Sequence, residues 1–369
     1  MYKIKQVKAA VVEVPLKKQW QISLYAASTR RHAVVQVITE DGVIGYGEAS
    51  PSPAFMGETA DTIKQVIDGH LAAAIQGCSV LDLETIHTRM DGAIYGNTAA
   101  KSAVDIAVHD ALGKNLRVPA SGLIGGVFRS EVPLSWVVGI QTLEGGCREA
   151  VEFARAGFRV IKIKIGKDPA SDLALVDAVR TALREEGLNT PIRLDVNQGY
   201  DAGTAIRTLR AIEEDGGIES VEQPVRRWDL DGLKEVREAL KTPVMADEAI
   251  FDLYDAAKVI RARAADIINI KVGKVGGLYK AKKIAALAEA SGVACTVGSN
   301  LELGIGTMAS LHFAASTKAV TYPSDLMLGP YLHTAEIVAG DVTSLVEQGA
   351  ARVPESPGLG VDLAEAFRG

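Results

Sequence analysis

The sequence predicts an α/β protein: a (β/α)8-type barrel with an N-terminal α+β capping domain. Three observations carry this expectation. From about Val132 onward, eight short β-branched runs alternate with stretches rich in Ala, Leu, Glu and Arg. Their pitch, roughly 25–30 residues, matches about 250 residues divided by eight. The first third has a different texture, long alternating runs followed by helical spacing. No Gly-rich phosphate fingerprint follows the first strand of the repeat, where Gly139-Ile140-Gln141-Thr142 stands, and this argues against the rival doubly wound open sheet.

In the first third, Ile4–Val14 and His32–Glu40 read as strands, with Asp41-Gly42 as a tight turn into Val43–Glu48. After the Ser50–Pro53 breaker cluster, helical spacing covers Glu58–Ala74, Leu81–Met90 and Ala99–Leu116. In the last of these, Val104, Ala107, Val108, Ala111 and Leu112 fall on one buried face. The barrel strands are expected at Pro133–Ile140, Phe158–Ile165, Ile192–Val196, Ser220–Glu222, Pro243–Ala246, Asp266–Ile270, Ala294–Val297 and Ala319–Tyr322. We therefore expect a cap over 1–130, completed by a tail over about 333–369 that returns to pack against it, and a modified TIM-type barrel over 131–332.

Composition narrows the function classes. The chain of 369 residues carries a formal charge of −6, the wrong sign for a nucleic-acid surface. It has no run of about 18 apolar residues, so no membrane span is expected. The first residues, MYKIKQVKAAVVEVPL, hold no apolar stretch of signal-peptide length. Cys78, Cys147 and Cys295 are scattered without a CxxC pair. They read as reduced thiols of a cytoplasmic protein rather than a disulfide framework. The six histidines show no metal-ligand spacing.

The strand ends hold the chemistry. Barrels of this class place reactive groups at the C-terminal ends of their strands. The second strand ends Lys162-Ile163-Lys164, and a spacing of two puts both ammonium groups on one face. The third ends Asp195-Val196-Asn197, the fourth Glu222-Gln223-Pro224 and the fifth Asp247-Glu248. One carboxylate from each of three successive strands, Asp195, Glu222 and Asp247, suits a hard cation, Mg2+ or Mn2+ in its place. The sixth strand ends on Lys271, across the barrel from the second. A lone strand-end Asp is often only a helix cap, and a lone Lys-x-Lys only a solvated edge. Together they supply what each lacks, since buried lysines need anions and clustered carboxylates need cations. Such a set fits removal of a proton next to a carboxylate. Lys164 and Lys271 would be base and acid on opposite faces, and Lys162 would neutralise the carboxylate and depress the Lys164 pKa.

With these motifs the sequence resembles the enolase superfamily, and within it the muconate lactonizing enzyme subgroup. The likeness runs through Lys162-Ile163-Lys164, Asp195-Val196-Asn197, Glu222-Gln223-Pro224, Asp247-Glu248 and Lys271 followed by Gly276-Gly277, in order along nearly the whole chain. The resemblance implies Mg2+-dependent formation of an enediolate from a small carboxylate substrate, by a homo-oligomer whose cap loops, here Lys17–Arg31 and Ser50–Glu58, select that substrate. It places Asn197, Glu248 and Glu302 around the site. Gly298-Ser299-Asn300 stands where the mandelate racemase branch carries a His, which favours the lysine pair. Dipeptide epimerases carry Asp-x-Asp at the eighth strand, whereas this chain reads Asp325-Leu326-Met327. Trp136, Ser299 and Asn300 look more like the muconate cycloisomerases, the leading expectation. The alternatives are a racemase or epimerase of an N-substituted amino acid, dipeptide or proline betaine, a hydroxyproline dehydratase, and a non-catalytic binding protein on the same fold. Trp20, Tyr25 and Phe55 are candidates for an aromatic substrate wall, and Arg30 or Arg31 for a second substrate carboxylate.

Overall fold

A computed structural model describes residues 2–367. The cap begins with an antiparallel meander of β1 (Ile4–Gln21), β2 (Ala26–Thr39) and β3 (Ile44–Ala49). The first two strands are longer than the alternating pattern predicts. They continue past a register shift between Pro15 and Trp20, and so carry Trp20 and the 22–25 turn out to the barrel mouth. One sheet face, with Val35 and Val37, packs on Ile63, Ile67, Leu71 and Met90, while Val34 and Val14 on the other face join the barrel core. The expected helix over Glu58–Ala74 is a continuous helical stretch from Ala60 to Ile75 with a π-turn at Ile67–Leu71. Thr59 caps it by accepting from the Thr62 amide at 3.1 Å.

The helix Thr98–Leu116 departs from the expectation of one buried face. It is buried continuously from Ala99 to Gly113, because it is sandwiched between the cap sheet and the barrel. Its buried polar side chains are partnered, Lys101 by Asp91, Ser102 by the Val272 carbonyl, Asp105 by His87 and Asp110 by Lys114. Its Ala103 and Ala107 approach β3 so closely that a Cβ at Gly45 or Gly47 would collide with their backbone.

The barrel strands are β5 (Ser135–Val138), β6 (Val160–Lys164), β7 (Ile192–Asp195), β8 (Ile218–Glu222), β9 (Val244–Ala246), β10 (Ile267–Ile270) and β11 (Ala294–Val297). They pair in parallel, in chain order, into one curled sheet. The eighth strand expected at Ala319–Tyr322 is not continuous. Closure instead comes from isolated parallel bridges, Cys295 to Val320 and Leu134 to Ser324, supported by amide bonds from Asp325 to Val297 and from Ser135 to Ser324. The segment enters beside β11 and leaves beside β5 with a proline, Pro323, between its two contacts. That proline has no N–H to give a ladder.

The helices after β6, β7, β8 and β9 start on dedicated caps. Asp168, Asp201, Asp229 and Asp252 each accept an amide of the first turn, which separates these aspartates from the strand-end ones. The tail returns to β1 through a bridge between Leu16 and His333. Part of it goes elsewhere: β12 (Val346–Glu347) and β13 (Ala350–Arg352) pair with β4 (Glu131–Pro133), the lead into the first barrel strand. Among the described residues no helix is long and apolar enough to cross a membrane.

Candidate active site

Barrels of this class usually fill their interior with branched aliphatics. Here the alternate positions of several strands are polar and buried: Ser135, Lys162, Arg193, Ser220, Asn269 and Thr296. Pleating puts Lys164, Asp195, Glu222 and Lys271 on the same faces, two residues nearer the mouth.

These side chains form one ionic network. The Lys162 ammonium lies 2.9 Å from Asp195, 2.8 Å from Glu222 and 2.8 Å from Asp325. Lys164 donates to Asp195 at 2.5 Å and to Asn197 at 2.9 Å. Asn197 donates in turn to Glu248 at 2.9 Å. Asn269 donates to Glu222 at 2.9 Å. Lys271 and Lys274 reach the two oxygens of Asp247, each at 2.7 Å. Gln223 holds the fifth strand's end in place by accepting the amides of Asp247 and Ala249.

Electrostatics follow from burial. Desolvation opposes the charge on Asp195, but Lys162 and Lys164 outweigh it and keep that carboxyl well below its ordinary range. Lys271 and Lys274 do the same for Asp247. Glu222 is pushed the other way, to about 8, by burial and then by Asp195. Glu248 rises to about 7 by burial and the charges of Asp247 and Asp195. Lys271 loses stabilisation of its charge by burial, yet Asp247, Glu222 and Glu248 hold its pKa above the usual lysine value.

The network bears on a metal. One oxygen each of Glu222 and Glu248 is buried with no hydrogen-bond partner. Lys162 approaches that Glu222 oxygen at 2.8 Å, an ion pair rather than a directed bond. Two carboxyls whose pKa values are raised by burial and by neighbouring carboxylates, each with an oxygen lacking a hydrogen bond, fit a hard cation. Among the described residues no three acidic, imidazole or thiol groups already form a coordination cage. Lys162, Lys164, Lys271 and Lys274 reach in among the carboxylates instead.

Above the network is a cavity of about 40 Å3. It is lined by the expected Lys162, Lys164, Lys271, Asn197, Trp20, Tyr25, Phe55, Ser299 and Asn300, and also by Ile22, Val137, Leu301, Asp325 and Leu328. Lys164 on β6 and the residue after β10, Lys271, enter it with three strands between them, half-way round an eight-membered barrel. Phe55 lies over the Lys271 ammonium, 5.6 Å from ring centre to nitrogen. Gly298 leaves room for that lysine, since a Cβ there would sit 2.8 Å from its Cε.

Trp136 must be corrected. It lies on the outer face of β5, stacked on Phe153 and donating to Glu149 at 2.9 Å, because its neighbour Val137 takes the inward position. Arg30, a candidate for a second substrate carboxylate, is engaged within the protein. It is buried and donates to Ser50, the Pro51 carbonyl and the Asn300 carbonyl, clamping the cap to the seventh strand's loop. Arg31 is exposed and pairs with Asp61. Glu302 lies behind the cavity, accepting from the Ser299 hydroxyl at 2.5 Å and the Asn300 amide at 2.8 Å.

Sequence reasoning missed Arg193, Lys274 and the pairing of Asp325 with Lys162. Arg193 and Lys274 were detectable as charges inside otherwise apolar barrel segments. It also missed the support from the cap. Ser102 donates to the Val272 carbonyl at 2.8 Å and Asp105 accepts the Leu278 amide at 2.5 Å. Gly277, at φ +98°, must be glycine because a Cβ would strike Asp105. The cap helix thus holds the loop that follows Lys271.

Two family models match the chain: the N-terminal domain of mandelate racemase / muconate lactonizing enzyme over residues 5–125, and the enolase C-terminal domain-like model over 147–367. The L-Ala-D/L-Glu epimerase of Clostridium acetobutylicum is 36% identical, over 97% of this chain and 98% of its own. The N-succinyl-L-Arg/Lys racemase of Bacillus cereus is 34% identical, over 98% and 96%. Muconate cycloisomerase 1 of Rhodococcus opacus is 33% identical, over 98% and 96%. The crystal structure of a dipeptide epimerase from Enterococcus faecalis V583, complexed with Mg and the dipeptide L-Leu-L-Tyr, superposes with a TM-score of 0.92 at 35% identity, covering 98% of this chain and 99% of that one. These likenesses favour the racemase or epimerase alternative over the cycloisomerase reading of Trp136, Ser299 and Asn300. The chain belongs to the mandelate racemase / muconate lactonizing enzyme family of the enolase superfamily, and its relatives are epimerases, racemases and cycloisomerases.

Proposed function

We propose that this enzyme is a Mg2+-dependent racemase or epimerase, which inverts the carbon next to the carboxylate of an N-substituted amino acid. The observation that carries this is the pair Lys164 and Lys271, facing one small cavity from opposite barrel strands. Inversion needs a proton taken from one face and returned to the other, whereas cycloisomerisation needs only one such group. The similarity to epimerases and an N-succinyl amino acid racemase supports the same reading.

Asp195, Glu222 and Asp247 would hold the metal, with Asn197 and Glu248 around them. Bound there, Mg2+ would act as a Lewis acid on the substrate carboxylate. The chain's own residues do the rest. Lys162 faces the substrate carboxylate and offsets the charge that develops as the proton leaves. Lys164 and Lys271 would exchange roles as neutral base and charged acid, according to which enantiomer is bound, once Asp247 and Glu222, which otherwise keep Lys271 charged, engage a cation instead. Phe55 and Trp20 keep water from the cavity, and Ser299 and Asn300, held by Glu302, give polar contacts at its rim.

The test is deuterium incorporation from D2O in the presence of Mg2+, across N-acyl amino acids, dipeptides, prolines and muconolactone, read by mass spectrometry. Exchange at the α-carbon with interconversion of the two stereoisomers is expected. A new absorbance with no stereoisomer formed would instead establish a cycloisomerase or dehydratase.

A further inference from the structure

Glu48, His32 and His333 have no part in the proposed reaction, yet all are buried where the cap, the seventh strand's loop and the tail meet. They form a chain. Glu48, on β3, accepts the Leu303 amide on Oε1 and the Gly306 amide on Oε2, each at 2.8 Å. Its Oε1 lies 2.9 Å from Nδ1 of His32 on β2. The two Nε2 atoms of His32 and His333 face each other at 3.2 Å, and the His333 Nδ1 lies 2.8 Å from the Gly329 carbonyl. Both ends of the chain hold the cavity wall. Leu303 and Gly306 lie just beyond Ser299, Asn300 and Leu301, and Gly329 adjoins Leu328, four residues that line the cavity. Gly329 packs so closely on the Glu302 carbonyl that a Cβ there would collide with it.

The direction of each bond fixes the protons. A carbonyl only accepts, so His333 carries its proton on Nδ1 and, as a neutral ring, accepts on Nε2. His32 must then donate from Nε2, and as a neutral ring it turns a lone pair on Nδ1 toward Glu48. A carboxylate there would meet that lone pair with its own. One further proton completes the chain, on the carboxyl or on the ring. Burial and then Arg30 push His32 down to about 3. Burial pushes Glu48 up to about 7, against the Gly306 and Leu303 amides. The proton therefore lies on Glu48. Burial and then His32 hold His333 at about 3. Among the described residues, the other charged groups facing the chain favour the same neutral state. Arg30 disfavours charge on both rings and Lys17 on His333, while Glu302 and Glu336 stand close enough to be opposed by a charge on Glu48.

We infer that Glu48 is a positioning residue for the cavity wall, and that it works as a neutral acid whose proton sets both ring tautomers in the chain to Gly329. Loss of one proton reverses the chain. The Glu48 proton passes to the His32 Nδ1, the His32 Nε2 proton passes to the His333 Nε2, and the His333 Nδ1 proton leaves. Carboxylate and rings stay bonded to one another, and the bond to the Gly329 carbonyl is given up. The consequence for catalysis rests on the proposed racemase chemistry, whereas the tautomers do not.

The test is 15N NMR of the Mg2+-loaded protein, labelled in histidine, at about pH 6 and about pH 8, on either side of the Glu48 value. At the lower pH, His32 is expected to be protonated on Nε2 alone and His333 on Nδ1 alone. At the higher pH both rings reverse. In Glu48→Gln the amide donates to the His32 Nδ1 and has no proton to lose, so the low-pH arrangement persists at both. A proton on the His32 Nδ1 at the lower pH, no reversal in the original chain, or reversal in Glu48→Gln would each overturn the inference. The ratio of kcat/KM for α-hydrogen exchange, original chain over Glu48→Gln, should fall about threefold between the two pH values, the scale of one hydrogen bond. The probe is whichever compound of the D2O panel exchanges fastest. A constant ratio would mark Glu48 as merely structural and overturn the inference. No exchange into any carboxylate would overturn the reaction instead, and the tautomers would still decide the inference.

Discussion

The cap and the barrel are both fully buried inside, yet they are filled by opposite means. In the cap, the helix Thr98–Leu116 packs Ala99, Ala103, Ala107 and Ala111 against a sheet of valines and glycines. In the barrel, Lys162, Arg193, Lys271 and Lys274 lie among Asp195, Glu222, Asp247 and Asp325. Apolar packing needs only volume and shape to be right. A buried ionic network is costly to desolvate and gains little stability over an apolar core. Its presence is evidence for chemistry rather than for folding, and perturbing each interior separates the two roles.

The largest effect is expected at the lysines. Lys164→Ala or Lys271→Ala should lower kcat for stereoisomer interconversion by about 10²–10⁴-fold, with the far-ultraviolet circular dichroism unchanged. Arg193→Met leaves Glu219 and Asp325 without their buried partner, and a loss of about 3–5 kcal/mol of stability is expected in urea unfolding. A loss below about 1 kcal/mol would show that the network relaxes freely. In the cap, Gly47→Val drives a side chain into the Ala103 backbone, and about 1–3 kcal/mol should be lost. If the comparison holds, kcat in the fraction still folded stays near the original.

The smallest effect is one of pH. His312 lies where barrel and tail meet, its Nδ1 accepting the Ser121 amide and its Nε2 donating to the Leu359 carbonyl. The bond from Ser121 requires the neutral ring, and burial pushes its pKa down to about 4, against the raising effect of the Leu359 bond. The unfolded chain, at about 6.5, therefore binds more protons between these values. The contribution of His312 is full above about pH 6.5 and is lost as pH falls toward 4. At pH 5 the loss is about 2 kcal/mol. Unfolding at pH 7 and pH 5 should show a smaller difference for His312→Gln than for the original chain.

The same contrast explains what the sequence made legible. Strand-end motifs were readable because a lysine pair and three carboxylates at successive strand ends break an apolar pattern at fixed spacing. The eighth strand was misplaced because Val320 and Ser324 pair with different neighbours, a split that periodicity cannot register. Trp136 was put in the site on likeness alone, whereas alternation along β5 turns it outward and Val137 inward. Arg30 stood as a candidate for a substrate carboxylate because its carbonyl partners, on Pro51 and Asn300, come from segments far along the chain. Asp325 was visible, but its saturation by Arg193, Lys162 and Ser135 is a property of three strands brought together.

The most direct test of the central claim, two lysines acting on opposite faces of one carbon, is stereospecific exchange in the single variants. Each enantiomer of an accepted substrate is incubated in D2O with Mg2+ and either Lys164→Ala or Lys271→Ala, and the α-proton signal is followed by NMR. The account predicts complementary behaviour: each variant still exchanges the one enantiomer whose base it retains and fails with the other. If one variant lost exchange of both enantiomers while the other kept both, a single base would be doing the chemistry, and the two-face account would be contradicted.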